Sequence, residues 1–219
     1  MRSERDKVKQ RIVEATIACI EKRGVSKITT RVVAKEAGVN VASINYYFGT
    51  KENLLEDTFR TALDHFFFDI QELFTVTELH SYSLSKVFFS FLLEGILHYP
   101  RLVQILIFNE QIAPRFRETL LRHFSSYIQM LATRIQEENP ACSALEANMR
   151  VVQMLHGVLS VCHPFQLHTT VGCDLRDPSL KERYLDLLLS RYIDWIPQDK
   201  IESQRELVQK CIRKLFESK

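Results

Sequence analysis

The chain has 219 residues, 46% apolar and 26% charged, the balance of a folded protein rather than a disordered one, and enough for one large domain or two small ones. Six glycines are too few for the tight turns of a sandwich or barrel, and no apolar run approaches the ~20 residues that span a bilayer. The net charge of +2 hides an asymmetry: residues 1–60 carry twelve basic and eight acidic side chains, which leaves that segment at +4 and the remainder at −2.

A basic end on a near-neutral body fits contact with a polyanion, and equally a solvated surface. The start, Met1-Arg2-Ser3-Glu4-Arg5-Asp6-Lys7, is charged and leads into no signal-peptide core, so a cytoplasmic protein is expected. Five cysteines, Cys19, Cys142, Cys162, Cys173 and Cys211, form no CxxC pair. Cys19 and Cys211 fall on apolar helical stripes and read as core thiols of a reducing compartment. Cys162, His163, His168 and Cys173 straddle Pro164 without zinc spacing, so neither a metal nor another cofactor is expected.

Along the chain, Ile12, Val13, Thr16, Ile17 and Ile20 recur at three and four, which places a first helix over residues 4–23, stopped by Gly24. Thr29 is an N-cap for a two-turn helix over 30–37, closed by Gly38. Asn40 caps a second short helix over 41–48, broken by Gly49-Thr50. Lys51 opens a long helix through about Phe74. Two short helices joined by a glycine-containing turn form a helix-turn-helix, with Val33, Ala34 and Ile44 as the apolar contacts between them. By spacing alone the same pattern is also an ordinary helical corner.

Further helices are predicted over residues 84–98, 101–112, 115–138, 141–162, 179–195 and 198–217, broken near Pro100, Pro114, Pro140, Pro164, Pro178 and Pro197. Asn139-Pro140 and Asp177-Pro178 read as caps followed by a first helical residue. The longest irregular stretches are expected at 75–83 and 168–177. No repeat or low-complexity segment is present.

The run from Ile28 to Leu55, with Thr29-Thr30 before a short helix, Ala37-Gly38-Val39 at the turn, Tyr47-Phe48-x-x-Lys51-Glu52 and Leu54-Leu55 after it, resembles the TetR family of transcriptional regulators. The motif covers about a quarter of the chain; the rest is similar only in length and helical character. The resemblance implies an all-α fold, with an N-terminal three-helix helix-turn-helix DNA-binding domain at residues 1–50. A larger helical ligand-binding and dimerisation domain follows at 51–219. It also implies a homodimer joined through the last long helices, double-stranded DNA as a partner, a small-molecule effector, and no membrane or catalytic role.

In such a fold the second short helix enters the major groove with its first residues at base edges. Here these are Val41, Ala42 and Ser43; Val41 and Ala42 can touch a thymine methyl but form no bidentate bond. Arg31 matches a family position that reads guanine and is the expected hydrogen-bonding reader, its other role being a phosphate contact. Thr30, Ser43, Tyr47 and Lys51 match positions that hold phosphates, and Tyr46 is expected to reach backbone or sugar. Asn45 departs from the family's common tyrosine; asparagine can pair with adenine or bond a phosphate. Phe48 reads as core. Residues 2–11 read either as an arm on DNA or as a frayed helix end.

In the second domain Phe66-Phe67-Phe68 and Phe88-Phe89 with Phe91 are core clusters or the wall of a pocket for an apolar or aromatic effector. His65, Phe68, Phe88, Phe91, Gln104, Phe108, His123 and His156 are the candidate effector contacts. Gly157 inside a helix suggests close approach by another helix, as at a dimer interface. Helices 141–162 and 179–195 are apolar on two faces, one for their own core and one for a partner subunit. The expected function is that of a repressor that releases its operator when the effector tilts the fourth helix. The rivals are an architectural or adaptor protein whose body binds another protein, and an all-α enzyme. No nucleophile–base order, carboxylate pair or phosphate loop supports the enzyme.

Overall fold

A computed structural model describes residues 4–73, 78–163 and 167–217. Among the described residues the regular structure is helical throughout: twelve α-helices and two short 3₁₀ turns. The expected helix end at Phe74, the stretch that follows it, Pro164 and Arg2 lie outside the described residues. The chain divides into two compact units, Met1–Phe66 with Tyr99–Phe116, and Phe67–His98 with Arg117–Lys219.

The first unit holds α1 (Glu4–Arg23), α2 (Thr30–Ala37), α3 (Val41–Phe48), most of α4 (Lys51–Leu73), and α6 (Pro100–Phe108). The inner face of α1 buries Ile12, Val13, Ala15, Thr16, Cys19 and Ile20. Thr16 sits there at no polar cost because its hydroxyl donates to the Ile12 carbonyl at 2.7 Å. Against this face lie Ile28, Val33, Ala34, Ile44, Phe48 and Leu54, all buried. Each fully buried Ile, Val, Leu or Phe contributes about 1.5–3 kcal/mol relative to exposure, so this small unit has a core of its own. The caps fall where expected. Thr29 Oγ1 accepts from the Val32 N–H at 3.2 Å, and Asn40 Oδ1 from the Ser43 N–H at 2.7 Å. Gly38 takes the left-handed conformation (φ 64°) that lets the chain reverse between α2 and α3.

Helix α6 starts at Pro100 and ends at Phe108, four residues before the predicted end. Asn109 stops it: its side-chain oxygen accepts from the N–H groups of Gln111 and Ile112, each at 3.0 Å, and turns the chain. At the other end Glu21 of α1 accepts from the N–H groups of Arg101 (3.2 Å) and Leu102 (2.7 Å). A carboxylate thus satisfies two of the free donors that open α6, and its charge suits that end of the helix.

The second unit is built around α5 (Ser81–His98), which is buried along most of its length and packs against α8 (Ala144–Leu159), α10 (Pro178–Tyr192) and α12 (Arg205–Glu217). α7 (Ala113–Glu138) begins in the first unit and runs into the second. α9 (Leu167–Thr170) and α11 (Gln198–Ser203) are short. Helix α5 opens three residues earlier than predicted because Glu138 accepts from the Ser81 N–H and hydroxyl, at 2.7 and 2.5 Å. Asp177 caps α10 as expected, accepting from the Ser179 hydroxyl and from the Ser179 and Leu180 N–H groups, and these bonds hold its carboxyl below the usual range. Asn139-Pro140 does not cap α8. Ser143 does, accepting from the Glu146 N–H at 3.2 Å, and the helix starts at Ala144. The predicted last helix is two: Gln204 interrupts it, its amide donating to the Glu78 carbonyl at 2.8 Å and accepting from the His80 N–H at 3.1 Å.

Gly157 is explained within the chain. A Cβ there would stand 2.8 Å from Leu188 Cδ1 of α10, and the Tyr184 hydroxyl donates to the Gly157 carbonyl at 2.6 Å. The close approach is α10 of the same subunit, not a partner. Of the cysteines, Cys19 and Cys162 are buried and Cys211 only half-buried. Burial pushes the Cys162 thiol up to about 11, which leaves it unreactive at neutral pH. Among the described residues no group of His, Cys, Asp and Glu is arranged to hold a metal ion, and no single helix is long and apolar enough to cross a membrane.

Candidate nucleic-acid interface

Helix α3 has two faces. Ile44 and Phe48, four apart, are buried in the first unit. Ala42, Asn45 and Tyr46 stand on the opposite side and are exposed, Tyr46 at 70%. The inward pair fixes the helix, and three and four are the spacings that keep the outward residues on one surface stripe. Val41, Ser43 and Tyr47 flank the stripe, half-buried. Tyr46 and Tyr47 meet edge to face at 5.1 Å, which fixes the rings relative to each other.

Around α3 lie cations that the fold leaves uncommitted. Arg31, exposed in the first turn of α2, and Lys51, half-buried at the start of α4, take part in no ion pair among the described residues. Lys22, by contrast, is spent on Glu36 at 2.5 Å, and the pair holds the Glu36 carboxyl below its ordinary range. An unpaired cation gives up no protein contact when a phosphate arrives. Ser43 is less free: its hydroxyl donates to Asn40 Oδ1 at 2.9 Å within the cap. To hold a phosphate it must turn its proton away from the cap.

The sequence offers residues 2–11 as a candidate arm on DNA but does not say which of them lie by α3. Lys9 reaches Asp57 of α4 at 2.9 Å and lies 5.5 Å from the Phe48 ring centre. Arg5 places its guanidinium 5.5 Å from the ring centre of Tyr46. The periodicity of α1 marks Arg5 and Lys9 only as outward-facing; which neighbour they face depends on the crossing of α1 over α3. Residues 4–11 belong to a regular helix rather than a frayed end.

The candidate effector contacts are dispersed by environment. Phe88 and Phe91 are buried in the α5 core, Phe88 edge-on to Phe89 at 5.0 Å. His123 stacks on Phe67 at 3.9 Å. His65, Phe68, Phe108 and His156 are exposed and Gln104 is half-buried. His156, read from the sequence as a core histidine, instead bonds the Val152 carbonyl of its own helix at 2.8 Å. Among the cavities elsewhere are two with aromatic walls. One of about 590 Å³ in the second unit is walled by Tyr82, Lys86, Glu182, Asp186, Ile201 and Ile212. In it Lys86 meets Asp186 at 2.7 Å and Glu182 at 3.5 Å, and Tyr82 donates to Asp186 at 2.8 Å. The other, of about 330 Å³ in the first unit, is lined by Leu55, Phe59, Ile112 and Phe116 among others.

The family profile described as "Bacterial regulatory proteins, tetR family" matches residues 12–58, which run from the core of α1 through α3 to the first turns of α4. Over that stretch, about a fifth of the chain, the sequence is similar to TetR-family regulators. Among curated TetR relatives, the HTH-type transcriptional regulator BetI of Vibrio campbellii is 42% identical over 55 residues, 25% of this chain and 28% of that protein. The match therefore spans little more than a quarter of the relative's length. Solved TetR structures extend the likeness of fold over most of the chain. A putative TetR-family regulator from Mesorhizobium loti, 15% identical, superposes with a TM-score of 0.66 over 88% of this chain and 98% of that one. FadR from Bacillus subtilis in complex with stearoyl-CoA, also 15% identical, gives 0.61 over 86% and 99%.

Proposed function

We propose that this chain is a ligand-responsive transcriptional regulator that binds double-stranded DNA as a homodimer and represses until a small effector releases it. The observation that carries the reading is the exposed stripe of Ala42, Asn45 and Tyr46 on a helix pinned by Ile44 and Phe48, flanked by the uncommitted cations Arg31 and Lys51. In this reading Val41, Ala42, Ser43 and Asn45 meet base edges and Arg31 reads guanine. Thr30, Ser43, Tyr46, Tyr47 and Lys51 hold the backbone.

The homodimer is supported by an apolar stripe on α8: Leu145 (65% exposed) and Met149 (54%), continued by half-buried Val152 and Leu159, with Leu187 of α10 64% exposed. These positions recur at three, four and seven, and a stripe of this kind on a folded chain is characteristic of a subunit contact. An effector in the helical body is supported by the stearoyl-CoA bound to FadR, a protein of the same fold. A ligand of apolar or aromatic type would reach Phe88 and Phe91 only by displacing core packing. Such displacement is a physical route for binding to move α4, which runs through both units.

The test compares wild type with Arg31→Ala and Lys51→Ala on duplex DNA at physiological salt. Arg31→Ala loses about 1–3 kcal/mol and relaxes discrimination at one base pair; Lys51→Ala weakens all sequences alike and lowers the salt slope by about one per half-site. Unchanged affinity in both variants contradicts the reading.

A further inference from the structure

We infer that Arg5 and Tyr46 together form a further phosphate subsite, one that brings α1 into the contact with duplex DNA. The inference rests on the DNA-binding reading above and adds a residue to it. Its basis is a juxtaposition across two elements: the Arg5 guanidinium, in the first turn of α1, stands 5.5 Å from the ring centre of Tyr46, an exposed side chain of α3. Tyr46 shares its stripe with Ala42 and Asn45, so Arg5 lies at the C-terminal edge of the surface offered to DNA. That end of α3 leads through Gly49-Thr50 into Lys51.

The chemistry suits a phosphate better than a base. A guanidinium lying flat on a ring keeps its five N–H donors, which point outward in its own plane, available to other acceptors. The planar fork remains able to bond two phosphate oxygens at once, and its rotamer is already restricted by the ring beneath it. Of the carboxylates nearby, Glu4 is bonded to Lys7 at 2.8 Å and Asp57 to Lys9 at 2.9 Å. Lys9, held by Asp57 and lying by Phe48, keeps α1 in the place that makes the Arg5–Tyr46 contact. Arg5 is exposed, and no buried group depends on it.

The experiment measures duplex affinity against salt for wild type, Arg5→Ala, Arg5→Lys and Tyr46→Ala, with thermal unfolding as a check on the fold. Arg5→Ala is expected to bind three- to tenfold more weakly on every sequence, with a salt slope lower by about 1.8 for the dimer, one phosphate contact being lost in each half-site. Arg5→Lys keeps the slope and recovers part of the affinity. A scan of the duplex with single methylphosphonates, each of which removes one phosphate charge, then locates the contact. One position in each half-site weakens wild type and leaves Arg5→Ala unaffected. If Arg5→Ala matches wild type in affinity and slope, the subsite is wrong while the DNA-binding reading stands. A loss that no methylphosphonate position cancels makes Arg5 a structural residue and also overturns the subsite. Wild type that binds no duplex overturns the DNA-binding reading and the subsite with it.

Discussion

Ile44 shows how one residue serves both packing and recognition. It is almost fully buried, with α3 packed against α2, while its neighbours at 42, 45 and 46 face outward. Replacing it with alanine leaves a cavity, and truncations of this size cost about 2–5 kcal/mol. Ile44→Ala should therefore lower the denaturation midpoint and weaken DNA binding without touching a DNA-facing atom. Ala42→Ser should do neither to stability, because position 42 packs against nothing; it should change base preference alone. Denaturant unfolding beside a binding isotherm separates the two. The cap and the bounds of α3 were legible in the sequence, and helical spacing then exposes 42, 45 and 46 on one side once Ile44 and Phe48 face inward. The Arg5–Tyr46 contact was not legible, because 41 residues separate the pair and only the crossing of two helices joins them.

At the scale of the element, starts that depend on a neighbouring side chain were read correctly and starts that depend on a distant one were not. Thr29, Asn40 and Asp177 cap their own helices, and the local sequence shows this. Ser81 begins α5 because Glu138 receives it, and Gln204 divides α11 from α12 because it bonds residues 78 and 80. Those partners are 57 and more than 120 positions away. At Asn139-Pro140 the local signal misled: Ser143 competes for the same cap and has a Glu three residues on, whose N–H it receives. Gly157 gives the prediction at this scale. Alanine would gain about 1 kcal/mol of helix propensity but presses on Leu188, whose side-chain end can yield. Valine has the same contact with two more methyl groups and a poorer propensity. Gly157→Val should cost about 1–3 kcal/mol, the range for overpacking, and Gly157→Ala should stay within about 1 kcal/mol of wild type. Equal stability of Gly157→Val and wild type would mean that α8 and α10 are not in close contact.

At the scale of the molecule, the two units differ in what their sequences disclose. The first is defined by caps and by a motif that a family profile matches over residues 12–58. In the second, helix content was clear from periodicity but partner faces were not, since α8 and α10 each carry apolar residues on two sides. The structure buries Val151, Leu155 and Val158 of α8 and leaves Leu145 and Met149 outside. The dimer reading predicts that Met149→Glu, alone or with Leu145→Glu, gives a folded monomer in sedimentation at micromolar concentration. A monomer holds a single recognition helix, so it should also lose the paired half-site preference.

The central claim is that the surface of α3 reads duplex DNA sequence. The most direct measurement is selection from random duplexes by the full chain at physiological salt, followed by sequencing of the bound pool. The account predicts enrichment of two related half-sites in inverted order, with centres about one helical turn apart or a multiple of it, ~34–36 Å per turn. A bound pool with no consensus, or no bound pool, would contradict it.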